Sequence, residues 1–134
     1  MLKRALTIAV AALTLAVTPV CAQDGGTSRP IEGAPAPFDA DLVRLAEILG
    51  SLHYLRALCG ANEGSKWRDQ MQALLDAETQ SGDRRRRLVT SFNRGYRVFQ
   101  QTYRTCTPAA DLAVRRYLDE GAKISREITA RYQN

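Results

Sequence analysis

Residues 83–106 run DRRRRLVTSFNRGYRVFQQTYRTC, and the spacing of their apolar side chains decides the fold class. Val89, Phe92, Tyr96, Phe99, Tyr103 and Cys106 follow one another at steps of three, four, three, four and three. On an α-helix that spacing gathers them along one seam, whereas a half-buried strand needs steps of two. The stretch therefore predicts a long amphipathic helix from about Asp83 to Cys106.

The same period extends on both sides. Leu42, Leu45, Leu49, Leu52, Leu55 and Cys59 form one apolar stripe on a helix predicted from Asp39, as N-cap, to Gly60 just past its end. Gly50 weakens it slightly. Ser65 is the next N-cap, and Trp67, Met71, Leu74 and Leu75 mark a shorter helix ending near Gly82. Thr107-Pro108 combines an N-cap with proline at the first helical position. The helix it opens carries Ala110, Val114, Tyr117, Gly121, Ile124, Ile128 and Tyr132 on one side. No alternating pattern, hairpin signal or internal repeat interrupts this scheme. Four amphipathic helices with short connections predict an all-α fold, a small antiparallel bundle.

Residues 1–22 carry the marks of a cleavable export signal. Lys3 and Arg4 precede the uncharged apolar stretch from Ala5 to Val17, and Val20-Cys21-Ala22 supplies a small-residue cleavage site. The apolar stretch is shorter than the roughly 20 residues of a membrane span. A lipoprotein anchored through Cys21 is the competing expectation, but bulky Val20 suits that processing poorly. Residues 23–37 are rich in Gly, Pro, Ala and Ser, which predicts a flexible leader. Residues 38–134 then form one helical domain, expected in the periplasm.

Export changes the cysteine arithmetic. Cleavage removes Cys21 and leaves Cys59 and Cys106. In an up-down-up-down bundle the first and third helices point the same way, so their C-terminal ends, where these cysteines sit, lie together. An oxidising compartment permits the bridge that this topology predicts. Closing the loop from 59 to 106 contributes up to about 4 kcal/mol in the chain-entropy picture.

Three runs are similar to a known family: Leu52-His53-Tyr54-Leu55-Arg56-Ala57-Leu58-Cys59, Ser91-Phe92-Asn93-Arg94-Gly95-Tyr96-Arg97 and Thr102-Tyr103-Arg104-Thr105-Cys106-Thr107-Pro108. The chain resembles a family of small exported proteobacterial proteins with no assigned function. The likeness covers most of the chain after Phe38, and includes both cysteines and Trp67. It implies one domain and no activity or ligand.

The charge pattern singles out the third helix. The chain has a formal net charge of +5, two of whose cations belong to the signal. From Arg84 to Cys106 there are seven arginines and no Asp or Glu. At 100° per residue Arg87, Arg94, Arg97 and Arg104 fall within an arc of roughly 100°, opposite the aromatic seam. The fourth helix instead offers Asp111/Arg115, Arg116/Glu120, Asp119/Lys123 and Glu127/Arg131 as opposite charges four apart. Planar guanidinium groups suit carboxylate or phosphate, so the stripe predicts docking to an acidic protein or an anionic envelope component. The competing expectation pairs these arginines with Glu47, Asp69, Asp76 or Glu78, or leaves them solvated. Arg84 to Arg87 also place four cations against the helix dipole. Nucleic acid is not expected as a partner in an exported compartment.

Catalysis has little support. His53 is the only histidine, and a disulfide consumes the remaining thiols, so neither a multi-histidine metal site nor a thiolate site is expected. No cofactor is predicted, and no phosphate loop, serine elbow or calcium loop occurs. His53 and Arg56 lie beside the apolar stripe near the disulfide end. A polar pocket there is the alternative, enzymatic expectation, against a boundary histidine satisfied by its neighbours. Trp67 and the tyrosines are expected in the core.

Overall fold

The computed structural model describes residues 35–78 and 82–132. Residues 1–34, which hold the expected signal and most of the expected leader, lie outside the described residues. Four helices follow in order: α1 (Asp39–Leu58), α2 (Lys66–Glu78), α3 (Gly82–Thr102) and α4 (Pro108–Tyr132). No strand occurs among the described residues. None of these helices is long and apolar enough to cross a membrane.

Local sequence explains the helix ends. Gly60, at φ 81°, closes α1. Its N–H donates to the Ala57 carbonyl and that of Ala61 to the Arg56 carbonyl, a paired closure that needs a left-handed residue at this point. The Thr107 hydroxyl accepts from the Ala110 N–H at 3.1 Å, with Pro108 beginning α4 as its missing donor allows. Asp39 departs from its expected role. Phe38 takes the cap position, and Asp39 is the first helical residue, buried.

The larger surprise is where α1 sits. A single apolar stripe was expected, yet Leu42, Ala46, Ile48, Leu49, Gly50, Ser51, Leu52 and Leu55 are all buried, and at 100° per residue they point around the whole axis. The other three helices each pack on α1, while among themselves only α2 and α3 bring their backbones together. The bundle therefore has a hub. Leu42, Ala46, Leu49, Met71, Leu75, Leu88 and Phe92 form one buried cluster, and Ile48, Leu52, Leu55, Ala110, Val114 and Ile124 form the other.

Helix α3 runs parallel to α1: Ser91 donates to the Val43 carbonyl near one end, and Cys59 bonds to Cys106 at the other. Helix α4 runs antiparallel, with Tyr132 against Phe38. The expected bridge is present, its Cα atoms 4.8 Å apart. The expected seam of α3 needs correction, however. Leu88 is buried and Val89 exposed, and Ser91 and Gly95 share the buried face with Phe92. Small residues centre this face because the α1 and α3 backbones nearly touch here, which leaves the larger rings to flank the contact. Helix α3 also stops at Thr102, four residues before the expected end, so Arg104 and Cys106 lie beyond it.

Candidate functional site

The predicted arginine stripe breaks into parts that the structure treats differently. Arg87 and Arg94 sit on α3 and reach back to α1, with Arg87 Nη2 3.5 Å from Asp39 Oδ2 and Arg94 Nε 3.9 Å from Glu47 Oε1. Arg97 is exposed and enters no ion pair among the described residues. Arg104, also exposed and unpaired among them, belongs to the α3–α4 connection. Of the expected partners Glu47 is used as a carboxylate. Asp69 and Asp76 take other neighbours, with Ser65 donating to Asp69 and Gln72 to Asp76.

Asp39 is the anchor that sequence inspection missed. Its carboxylate accepts from Arg84 Nη2 at 2.5 Å and from the Ala36 N–H at 3.0 Å. Arg84 also donates to the Glu78 carbonyl, and its guanidinium lies over the Phe38 ring. One arginine thus ties together the starts of α1 and α3 and the end of α2. Arg86 bonds Asp83 one turn earlier. Three of the four clustered cations, Arg84, Arg86 and Arg87, therefore meet two carboxylates, Asp39 and Asp83, which offsets part of their conflict with the helix dipole. The signal that could have found Asp39 was an acid at the start of one helix and four arginines at the start of its parallel neighbour.

Beside this anchor a shallow groove of about 550 Å³ is lined by Val43, Thr90 and Ser91, by Arg87 and Arg94, and by the paired Arg86 and Asp83, so cations outnumber the single acid. It is basic, open and hydroxyl-bearing. Such a surface can hold carboxylate or phosphate oxygens by charge-assisted hydrogen bonds.

His53 and Arg56 engage different neighbours. The His53 ring lies 6.0 Å from Phe92 and 5.6 Å from Tyr96, centroid to centroid. Burial, and then the nearby Arg68 charge, lower its pKa below the usual 6.5. Arg56 donates through Nε and Nη2 to both carboxylate oxygens of Glu63, at 2.9 and 2.7 Å. Trp67 Nε1 donates to the same carboxylate at 2.7 Å, and Lys66 sits 3.3 Å away. These contacts, the Arg56 hydrogen bond first, hold Glu63 at about 2. This knot fastens the α1–α2 turn and occupies the guanidinium that the enzymatic expectation needed. No group of three or more His, Cys, Asp or Glu suited to a metal occurs among the described residues.

With that geometry in place, comparison with known proteins adds a family. Residues 37–132, well over half of the chain, match the family described as protein of unknown function DUF2385. The chain belongs to the DUF2385 family. The match spans all four helices of this DUF2385 domain, both bridging cysteines and the arginine face. No curated protein and no solved structure matches.

One expected pattern on α4 is redrawn by tertiary contacts. Asp111 and Arg115 pair as predicted. Glu120 instead binds Arg44 of α1, with both oxygens accepting at 2.7 and 2.9 Å. That hydrogen bond lowers the Glu120 pKa and raises that of Arg44. Lys123 lies 4.0 Å from Glu127 in place of Asp119. Arg116 is left exposed, without an ion pair among the described residues.

Proposed function

We propose that this DUF2385 protein is an exported, non-enzymatic binding module that docks an acidic protein or an anionic envelope component through the outer face of α3. The observation that carries the reading is the charge imbalance of that face. After Asp83, α3 bears only cationic charges. Two of the stripe's arginines reach α1 acids, and Arg97 and Arg104 project unpaired among the described residues. Export and a periplasmic setting rest on Lys3, Arg4 and the apolar stretch to Val17, followed by Val20-Cys21-Ala22.

The test replaces Arg94, Arg97 and Arg104 together by Gln. Binding to polyglutamate, and separately to vesicles containing phosphatidylglycerol, is measured across a salt series. Each surface cation near an anionic membrane contributes roughly 1 kcal/mol, so the triple variant should bind at least about tenfold more weakly. Its helical circular dichroism and unfolding midpoint should match wild type. Equal binding by variant and wild type, or wild-type binding indifferent to salt, sinks the reading.

A further inference from the structure

We infer that the cleft between the end of α3 and the first half of α4 binds a small ring-bearing monoanion, an aromatic carboxylate or sulfonate. This site is separate from the arginine face and does not rest on its role. The cleft has a volume of about 410 Å³, within the range of small-molecule sites.

Its walls are suited to a flat ring. Phe99 and Tyr103 present nearly parallel planes, 9° apart with centroids separated by 6.1 Å. Tyr117 meets Phe99 edge-on at 5.5 Å. On the α4 side Leu112 remains 41 % exposed, apolar surface that a ligand would cover. The walls are also fixed in advance. The Tyr54 hydroxyl donates to the Tyr103 carbonyl at 2.5 Å, and the Cys59–Cys106 bridge holds the chain three residues further on. Preorganisation of this kind lowers the entropic cost of binding.

Charge selects the ligand's sign and count. Arg44 and Glu120 line the cleft and neutralise one another through two hydrogen bonds. Because Arg44 takes Glu120, Arg116 keeps its guanidinium unpaired among the described residues, and it lines the same cleft. One uncompensated cation beside three aromatic rings recognises one anionic group attached to a ring.

The probe is 8-anilinonaphthalene-1-sulfonate, titrated into the folded protein by fluorescence. One saturable site is expected, displaced by 1-naphthoate and not by octanoate. Arg116→Gln should weaken it about tenfold, the scale of one charge-assisted hydrogen bond. Arg115→Gln, which removes a guanidinium already bonded to Asp111, should leave it unchanged. N-phenyl-1-naphthylamine, with the same rings and no charge, should bind wild type and Arg116→Gln alike. Absence of a saturable site, or equal sulfonate binding by Arg116→Gln, overturns the proposal. Displacement by octanoate alone overturns the ring assignment. Unchanged unfolding midpoints separate lost binding from lost fold. Amide shifts on saturation should centre on Tyr103, Leu112 and Ala113, and shifts centred elsewhere also overturn it.

Discussion

Gly50 lies so close to the backbone of Phe92 that a Cβ built on it would stand 1.9 Å from the Phe92 carbonyl oxygen. The relation is reciprocal, because a Cβ on Gly95 would stand 2.1 Å from the Glu47 carbonyl oxygen. Backbone cannot yield as a flexible side chain does, so the two helices must separate to admit a methyl group. Gly50→Ala and Gly95→Ala should each destabilise the fold by about 3 kcal/mol or more, as overpacking of a tight contact does. Gly60→Ala provides the contrast, since nothing lies within 4 Å and only its φ of 81° opposes the change. It should cost about 1–2 kcal/mol. Urea unfolding ranks the three, and a Gly60 variant worse than the other two would contradict the close crossing.

The bridge between Cys59 and Cys106 should matter most in the unfolded chain. Replacing both cysteines by Ser should lower stability by up to about 4 kcal/mol, by freeing the unfolded loop between them. Chemical denaturation of the double variant and of the reduced wild type should agree. Amide exchange should rise first at the α3–α4 connection, while the Arg84–Asp39 end keeps its protection.

Glu63 gives a pH test at the opposite side of the same helix end. Its folded pKa of about 2 lies below the ordinary 4.5, so its contribution is complete above the ordinary value and disappears as pH falls toward 2. Glu63→Gln should cost about 1.5–3 kcal/mol at pH 7, the scale of hydrogen bonds to a charged group. The two unfolding curves should converge between pH 4.5 and 2. A gap that persists at pH 2 would assign Glu63 a role other than its charge.

His53 predicts a slope of the same sign, displaced toward neutrality. Burial disfavours its protonated form in the folded state, whereas the unfolded chain takes up a proton near pH 6.5. The associated stability is complete above that pH and declines as pH falls through it. Unfolding free energies from pH 8 to 5 should show this decline in wild type. His53→Gln should be flatter over that window, whatever its absolute stability, and an equal slope would place the titration elsewhere.

Much of the fold was legible because the signals were local. Thr107-Pro108 and Gly60 announced helix ends through backbone chemistry, and two cysteines at like ends of parallel helices announced their bridge. The central position of α1 was not legible, because Gly50, Ser51 and Ala46 are buried by what approaches them, and a count of large apolar residues passes over them. The register of α3 slipped for the same reason, since Ser91 and Gly95 occupy the face that larger side chains were expected to fill. In the candidate sites, distance in sequence hid the decisive pairs. Arg44 displaced Arg116 from Glu120, and Asp39 drew in Arg84 and Arg87, by contacts that no helix period reports.

The hub arrangement also governs how the molecule comes apart. Since α2 and α4 share no backbone contact, either can detach from α1 in a partial opening that leaves the other seated. Helix α1 has no such freedom, because its release would expose both buried clusters at once. Its amides should therefore exchange only through complete unfolding, and a damaging substitution in α1 should lower the protection of every helix, while one in α2 stays confined to its own neighbourhood.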